Sequence, residues 1–204
     1  MAEPRIKQVE EKVLNVAIEV VKKGEGALFV IGGDVTYDRL LKQKFEPFSV
    51  FDPGAEKILL GLAVIDGAVI IGRDGAVRDY SALIKDTKPL TGFGTRHAAA
   101  LTAAKEDNIV VLCSEEERKI KIFRKGKMVM QVDALQKNIE KEVPEISNML
   151  ESPEVKSLLE SVGAGFIGTI GVATLAPALG ISLLPGVIIF GGSYFAIKKL
   201  LEKQ

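Results

Sequence analysis

The sequence predicts an α/β fold: a central mixed β-sheet flanked by helices, followed by a C-terminal hydrophobic helical hairpin. Three observations carry this. Helix-period and strand-like segments alternate through the first two thirds of the chain, which is the pattern of a sheet covered by helices. At least one pair of strand-like runs is joined by a short turn sequence, so antiparallel pairing belongs in that sheet. No charged residue occurs from Val162 to Ile197, a run too long for one core helix.

Taken in order, residues 5–23 carry Ile6, Val9, Val13, Ala17 and Val20 at spacings of three and four, an amphipathic helix closed by Gly24 or Gly26. Ala27–Ile31 is a short apolar run ended by Gly32-Gly33, a buried strand. Asp34 caps a short helix to Leu41, residues 46–51 are a loop, and Asp52-Pro53-Gly54 opens a helix with Asp at the N-cap. Leu62–Ile71 reads as an apolar strand interrupted by Asp66. Arg73-Asp74-Gly75-Ala76 turns a hairpin between Ala68–Gly72 and Ala76–Leu83. Gly92–Ala104 is a glycine-rich turn running into a helix. Strands follow at Asn108–Cys113, Lys119–Phe123 and Met128–Val132. Asp133–Glu151 is helical, kinked or split at Pro144, and Ser152-Pro153 restarts a helix to about Ser161. This divides the chain into an α/β domain (1–133), a charged helical connector (134–161) and a hydrophobic hairpin (162–204).

The 204 residues hold 27 basic and 27 acidic side chains, so no net basic field recruits nucleic acid. One cysteine, Cys113, allows neither an intramolecular disulfide nor a thiolate metal cluster, and it reads as a packed thiol in a strand. The charged, amphipathic start has no apolar segment of the secretory type.

Chemistry concentrates in three places. Gly92-Phe93-Gly94-Thr95-Arg96-His97 combines a flexible turn, a hydroxyl, a guanidinium and the only histidine at the start of a helix. Backbone N–H groups there point outward and the helix dipole favours an anion, so the stretch reads as a phosphate cradle. His97 has two readings, a phosphate ligand or proton carrier and a helix-capping surface residue. Asp66, set in an apolar stretch, needs a metal ion or a substrate hydroxyl if it is buried; the alternative is a strand-end turn residue bonding its own backbone. Gly67 and Ala68 are small enough to let a ligand reach the backbone. Asp74-Gly75-Ala76 repeats the same tripeptide in an exposed turn. Ser114-Glu115-Glu116-Glu117 stands at the carboxyl end of a strand, where hard oxygen ligands can hold a divalent cation; Glu117 reads as solvated loop.

Asp66-Gly67-Ala68, Gly94-Thr95-Arg96-His97 and Ser114-Glu115-Glu116 resemble, in order and spacing, the three signature segments of the diadenylate cyclase family, over about Val13–Val132. The resemblance implies a central mixed sheet and condensation of two ATP molecules into cyclic di-AMP with release of pyrophosphate, using Mg²⁺ or Mn²⁺. It implies that a 3′-hydroxyl attacks an α-phosphate across a dimer of half-sites, in a catalytic dimer or higher oligomer. Asp66, Arg96 and His97 would be the catalytic residues. Gly67, Ala68, Leu83, Gly94, Thr95, Arg96, His97, Ser114 and Glu115 would bind ATP, with Leu83 near the adenine, and Asp66 and Glu116 would hold the metal. The family pattern reads Arg-His-Arg, whereas this chain has Arg96-His97-Ala98, so one cation is missing; Lys105, Arg73 and Lys85 are candidates to replace it.

Beyond the domain, Pro177, Gly180 and Pro185 divide the charge-free run into Val162–Ala178 and Ile181–Ile197. Each is at the short limit of a span, for which about 20 apolar residues are usual, so a crossing hairpin and a re-entrant one are both compatible. Ala164 and Gly168 allow close helix packing. Lys156 on one side and Lys198, Lys199 and Lys203 on the other favour both ends on the cytoplasmic face. The expectation is a membrane-associated protein whose catalytic domain faces the cytoplasm. Its rivals are a nucleotide-binding module without catalysis and a membrane scaffold whose hairpin oligomerises.

Overall fold

The computed structural model describes residues 3–43, 45–88, 94–153 and 187–189. Helix α1 (Glu3–Lys23) buries Val9, Val13, Ala17 and Val20 along one stripe. It closes with Gly24 N–H donating to Val21 O and Glu25 N–H to Val20 O, a paired C-terminal closure. Strand β1 (Ala27–Gly32) follows at once and is buried from Ala27 to Ile31. The next elements are β2 (Tyr37–Arg39), β3 (Phe48–Ser49), α2 (Ala55–Ala63), β4 (Ala68–Gly72), β5 (Ala76–Ile84) and α3 (Thr95–Ala103). Strands β6 (Ile109–Ser114), β7 (Lys119–Arg124) and β8 (Lys127–Asp133) form a meander. A 3₁₀ turn (Ile139–Glu142), α4 (Val143–Glu151) and β9 (Val187–Ile189) complete the described elements.

Among the described residues the sheet runs β2-β5-β4-β1-β6-β7-β8-β9, with β3 also on β5. Only β1 and β4 pair in parallel there; every other pair is antiparallel. The mixed α/β sheet is as expected. Period-two alternation sends Phe29, Ile31, Val69, Ile71, Val111, Ile120 and Ile122 to one face, where α1, α2 and α4 cover them. Leu28, Val30, Ala68, Ile70 and Leu112 face the other way and pack under α3. The parallel pair is buried on both faces, which is why its strands read as continuous apolar runs.

Several segments differ from their sequence expectation, beginning with Phe48–Ser49, expected in a loop and paired instead with Val77 and Ala76 as β3. Tyr37–Arg39 is strand rather than helix: Val35, Thr36 and Tyr37 favour extended backbone, the strand pairs with Ala82–Ile84, and Arg39 Nε donates to the buried Asp79 at 2.5 Å. Asp52 does not cap α2, which starts after Gly54 with no side-chain cap; its carboxylate instead accepts the Ser49 N–H at 2.8 Å. Leu62–Ile71 is not one strand, because α2 extends to Ala63 and β4 begins only at Ala68. The stretch expected as a connector buries Ile139, Val143, Ile146 and Leu150 in the core against α1. Its α4 begins at Val143, so Pro144 sits in the first turn, where no N–H is needed, and of the two readings it divides the stretch, after the 3₁₀ turn, rather than kinking one longer helix. Val187–Ile189, expected inside the second hydrophobic helix, pairs antiparallel with Met130–Val132 as β9. The remainder of 154–204, including the rest of the hairpin, lies outside the described residues, as do Gly92 and Phe93.

Candidate active site

The register gathers the three segments at one end of the sheet. β1 and β4 are parallel, Phe29 beside Val69, so the Asp66-Gly67 turn before β4 lies at the end where β1 begins. β6 and β5 run oppositely to them, with Ala27 beside Cys113 and Ala68 beside Ala82. Ser114 and the following glutamates therefore stand at that same end, together with Leu83, the start of β7 and, through the Arg96–Gly26 contact described below, the N-terminus of α3. In a mixed sheet this end is the carboxyl edge for β5 and β6 and the amino edge for β1 and β4. The rule that ligands meet carboxyl ends, drawn from parallel sheets, holds for Ser114–Glu116 and not for Asp66.

Asp66 is exposed in the turn between α2 and β4, and its Oδ1 accepts the Gly67 N–H at 3.0 Å. The turn reading is the one the structure shows; the carboxylate is not buried, because the apolar residues before it belong to a helix. The role expected for Gly67 also changes. It adopts φ +101°, and a Cβ there would stand 2.6 Å from the Ser81 carbonyl carbon and 2.7 Å from Ala82 N. Its missing side chain admits the β5 backbone, at a bulge where Ser81 has φ 52°. Ala68 is fully buried under α3. Leu83, by contrast, is half exposed on the last turn of β5 toward the site end.

Helix α3 begins at Thr95 after Gly94, which caps it without a side-chain hydrogen bond. Gly94 and Thr95 are exposed at this N-terminus, where amide N–H groups and the helix dipole favour an anion. Arg96 folds back over the start of β1: a methyl group on Gly26 would lie 2.1 Å from Arg96 Nη1, with the Cys113 carbonyl oxygen 3.6 Å away. His97 is half-buried, and its Nε2 lies 2.9 Å from Lys121 Nζ. Burial and the Lys121 charge both push the imidazole pKa below its ordinary value, against the opposing pull of Glu117 and Glu116. Ala98 is buried. Ser114 is buried at the end of β6, and its Oγ accepts the Glu117 N–H at 3.3 Å, ordering the four-residue turn of Glu115, Glu116, Glu117 and Arg118. Glu115 and Glu116 are exposed in that turn. Cys113 is buried, which pushes its thiol pKa up and leaves it unreactive.

Lys121 had no place in the sequence reading. It is 4% exposed, donates to Glu117 Oε1 at 2.5 Å, and lies under α3 in register with Leu112. In Lys119-Ile120-Lys121-Ile122 the alternation looks like an ordinary half-solvated strand; only the helix laid over that face makes Lys121 a buried cation. Among the described residues no three His, Cys, Asp or Glu side chains cluster closely enough to hold a metal ion.

An exposed acid, a helix N-terminus carrying an arginine and a histidine, and a serine–glutamate turn thus share one end of the sheet of an α/β domain. Residues 16–128, over half of the chain, match the DAC family model, described as DisA bacterial checkpoint controller nucleotide-binding, and the chain belongs to this family. It is 28% identical over 142 residues to a diadenylate cyclase of Methanocaldococcus jannaschii, covering 62% of this chain and 46% of that protein. It is 29% identical over 137 residues to a diadenylate cyclase of Haloferax volcanii, covering 59% of this chain and 51% of that one. The chain thus spans about half the length of these curated relatives. A double mutant of DacA from Staphylococcus aureus overlays with a TM-score of 0.45 at 18% identity, over 70% of this chain and 93% of that chain. A hypothetical membrane spanning protein from Bacillus cereus gives 0.42 at 18%, over 57% and 59%.

Proposed function

We propose that this protein is a diadenylate cyclase that condenses two ATP molecules into cyclic di-AMP, releasing pyrophosphate. The observation that carries the reading is the convergence of Asp66-Gly67-Ala68, Gly94–His97 and Ser114–Glu116 on one sheet edge, inside the region matched by the family model. Thr95, Arg96 and the first amides of α3 hold the triphosphate; the charge developing on the α-phosphate oxygens meets donors already in place, which is where such sites gain most. Neutral His97 donates a hydrogen bond to a phosphate oxygen. Exposed Leu83 offers an apolar surface to the adenine. Asp66 accepts the proton of the attacking 3′-hydroxyl.

A metal ion fits this donor set in one way. Asp66 and Glu116 are exposed single carboxylates at the same edge, with no third protein ligand clustered among the described residues. That suits Mg²⁺ or Mn²⁺ carried in on the nucleotide phosphates rather than a closed protein cage. Held by Asp66 and Glu116, such a cation would supply charge neutralisation at the phosphates and acidification of a coordinated hydroxyl. Each subunit holds one ATP, so hydroxyl and phosphate belong to different half-sites and a face-to-face dimer is part of the mechanism. The full chain incubated with ATP and Mn²⁺ should yield cyclic di-AMP. Tight ATP binding with no product would leave the nucleotide-binding module without catalysis and sink the enzyme reading.

We also propose membrane association through the charge-free run from Val162 to Ile197, supported by its composition and the flanking lysines. β9 supports a second reading, in which part of this run covers the β8 edge of the sheet. No helix among the described residues is long and apolar enough to cross a membrane. Fractionation without detergent separates the two: recovery in the pellet, released by detergent, supports the anchor, and recovery in the supernatant supports the edge cover.

A further inference from the structure

We propose that Lys121 is a positioning residue that holds His97 in its Nδ1-protonated tautomer from beneath α3. The inference rests on the nucleotide reading of the site only for what His97 then does; the Lys121–His97 geometry stands apart from it. An ammonium has donors and no acceptor. At 2.9 Å, His97 Nε2 must therefore accept from Lys121 Nζ, and the ring proton of the neutral imidazole is on Nδ1. Glu117 Oε1 takes a second N–H of the same ammonium at 2.5 Å, which fixes Nζ from the other side. The stem is buried between the sheet and α3, so Lys121 has few rotamers to explore. A neutral imidazole held this way carries its one donor on Nδ1, and a donor is what a phosphate oxygen requires. Burial and the adjacent ammonium both disfavour protonation of the ring, in the direction that a single neutral tautomer requires.

None of the three cations that the sequence offered in place of an arginine at Ala98 is seen against the first turn of α3. Arg73 pairs with Asp107 at the opposite end of the sheet, and Lys105 packs beside Gly126 in the turn between β7 and β8, also at that far end. Lys85 is at the site end but on the β2 edge, paired with Asp38 at 2.8 Å. Lys121, by contrast, touches the first turn of α3 through His97.

The test uses the full chain labelled with ¹⁵N-histidine; His97 is the only histidine, so each ring nitrogen gives one signal. Long-range ¹H–¹⁵N correlation should show Nδ1 protonated and Nε2 bare in the unmodified protein. Lys121→Met should move the ring toward the Nε2-protonated form, and Lys121→Arg, which still donates to Nε2, should restore it. ATP affinity should fall by about tenfold in Lys121→Met, the loss of one charge-assisted interaction, and by less than about threefold in Lys121→Arg. A protonated Nε2 in the unmodified protein overturns the proposal without any variant, as does a tautomer that Lys121→Met leaves unchanged. If the tautomer responds as stated but the unmodified protein binds no ATP, the positioning role stands and the nucleotide reading falls.

Discussion

Asp66 stands exposed in a turn at the site end of the sheet, not buried in a strand, so its carboxylate is open to solvent. Asp66→Asn should fold with unchanged thermal stability and lose product formation by at least about a hundredfold, the usual scale for a proton-transfer group; full turnover in this variant would remove Asp66 from the mechanism. Gly67 makes the complementary prediction. Gly67→Ala must adopt φ +101° and place a methyl group 2.6 Å from the Ser81 backbone, so it should cost roughly 2–3 kcal/mol in denaturant unfolding. Gly26→Ala acts differently. Its backbone tolerates alanine, but the methyl group displaces the Arg96 guanidinium, so ATP affinity should drop while the fold is retained, and an unchanged dissociation constant would show that Arg96 does not hold phosphate.

At the scale of elements, α4 is held to α1 and β7 by a buried polar cluster as well as by apolar packing. Arg124 donates to Glu10, at 3.2 Å, to Glu151 and to the Leu150 carbonyl at 2.8 Å, and Ser147 Oγ donates to Glu10 Oε2 at 2.9 Å. Glu10 is 1% exposed, and burial outweighs Arg124 to push its pKa up to about 8. A carboxyl that binds its proton more tightly when folded stabilises fully below the ordinary carboxyl range and loses that stability as pH rises toward 8. Chemical denaturation should therefore show stability declining between about pH 5 and 8, and Glu10→Gln, which mimics the protonated form, should flatten that decline. Arg124→Met strands the acids without their cation and should cost about 3 kcal/mol or more.

For the molecule as a whole, the site lies at one end of the central strands of the sheet, and the proposed reaction joins nucleotides held by two subunits. Specific activity should rise with protein concentration and level off once the dimer is saturated; a specific activity independent of concentration far below the dimer dissociation constant would contradict a shared site. Mutating the exposed Leu83 to Ala should raise the ATP dissociation constant without lowering the melting temperature.

Much of the architecture was legible in the chain because it depends on local periodicity. The α1 stripe, the apolar β1 and β6 runs and the turn at Asp74-Gly75 each state their structure within ten or twenty residues, and the spacing of Asp66, Gly94–His97 and Ser114–Glu116 marks the family. Local pattern misled where a partner element decides. Tyr37–Arg39 is a strand because β5 offers an edge and Asp79 a counter-charge; the stretch after Asp133 is core because α1 presents an apolar face to it. Lys121 is the sharpest case. Alternation tells which residues of β7 share a face, but whether that face meets water or a helix depends on where α3 crosses the sheet. The sequence by itself determined the elements and the chemical inventory, since both are properties of short stretches of chain. Only the tertiary structure decided which groups are buried, charged neighbours of one another, because burial and Coulomb interaction act through space between residues far apart in sequence.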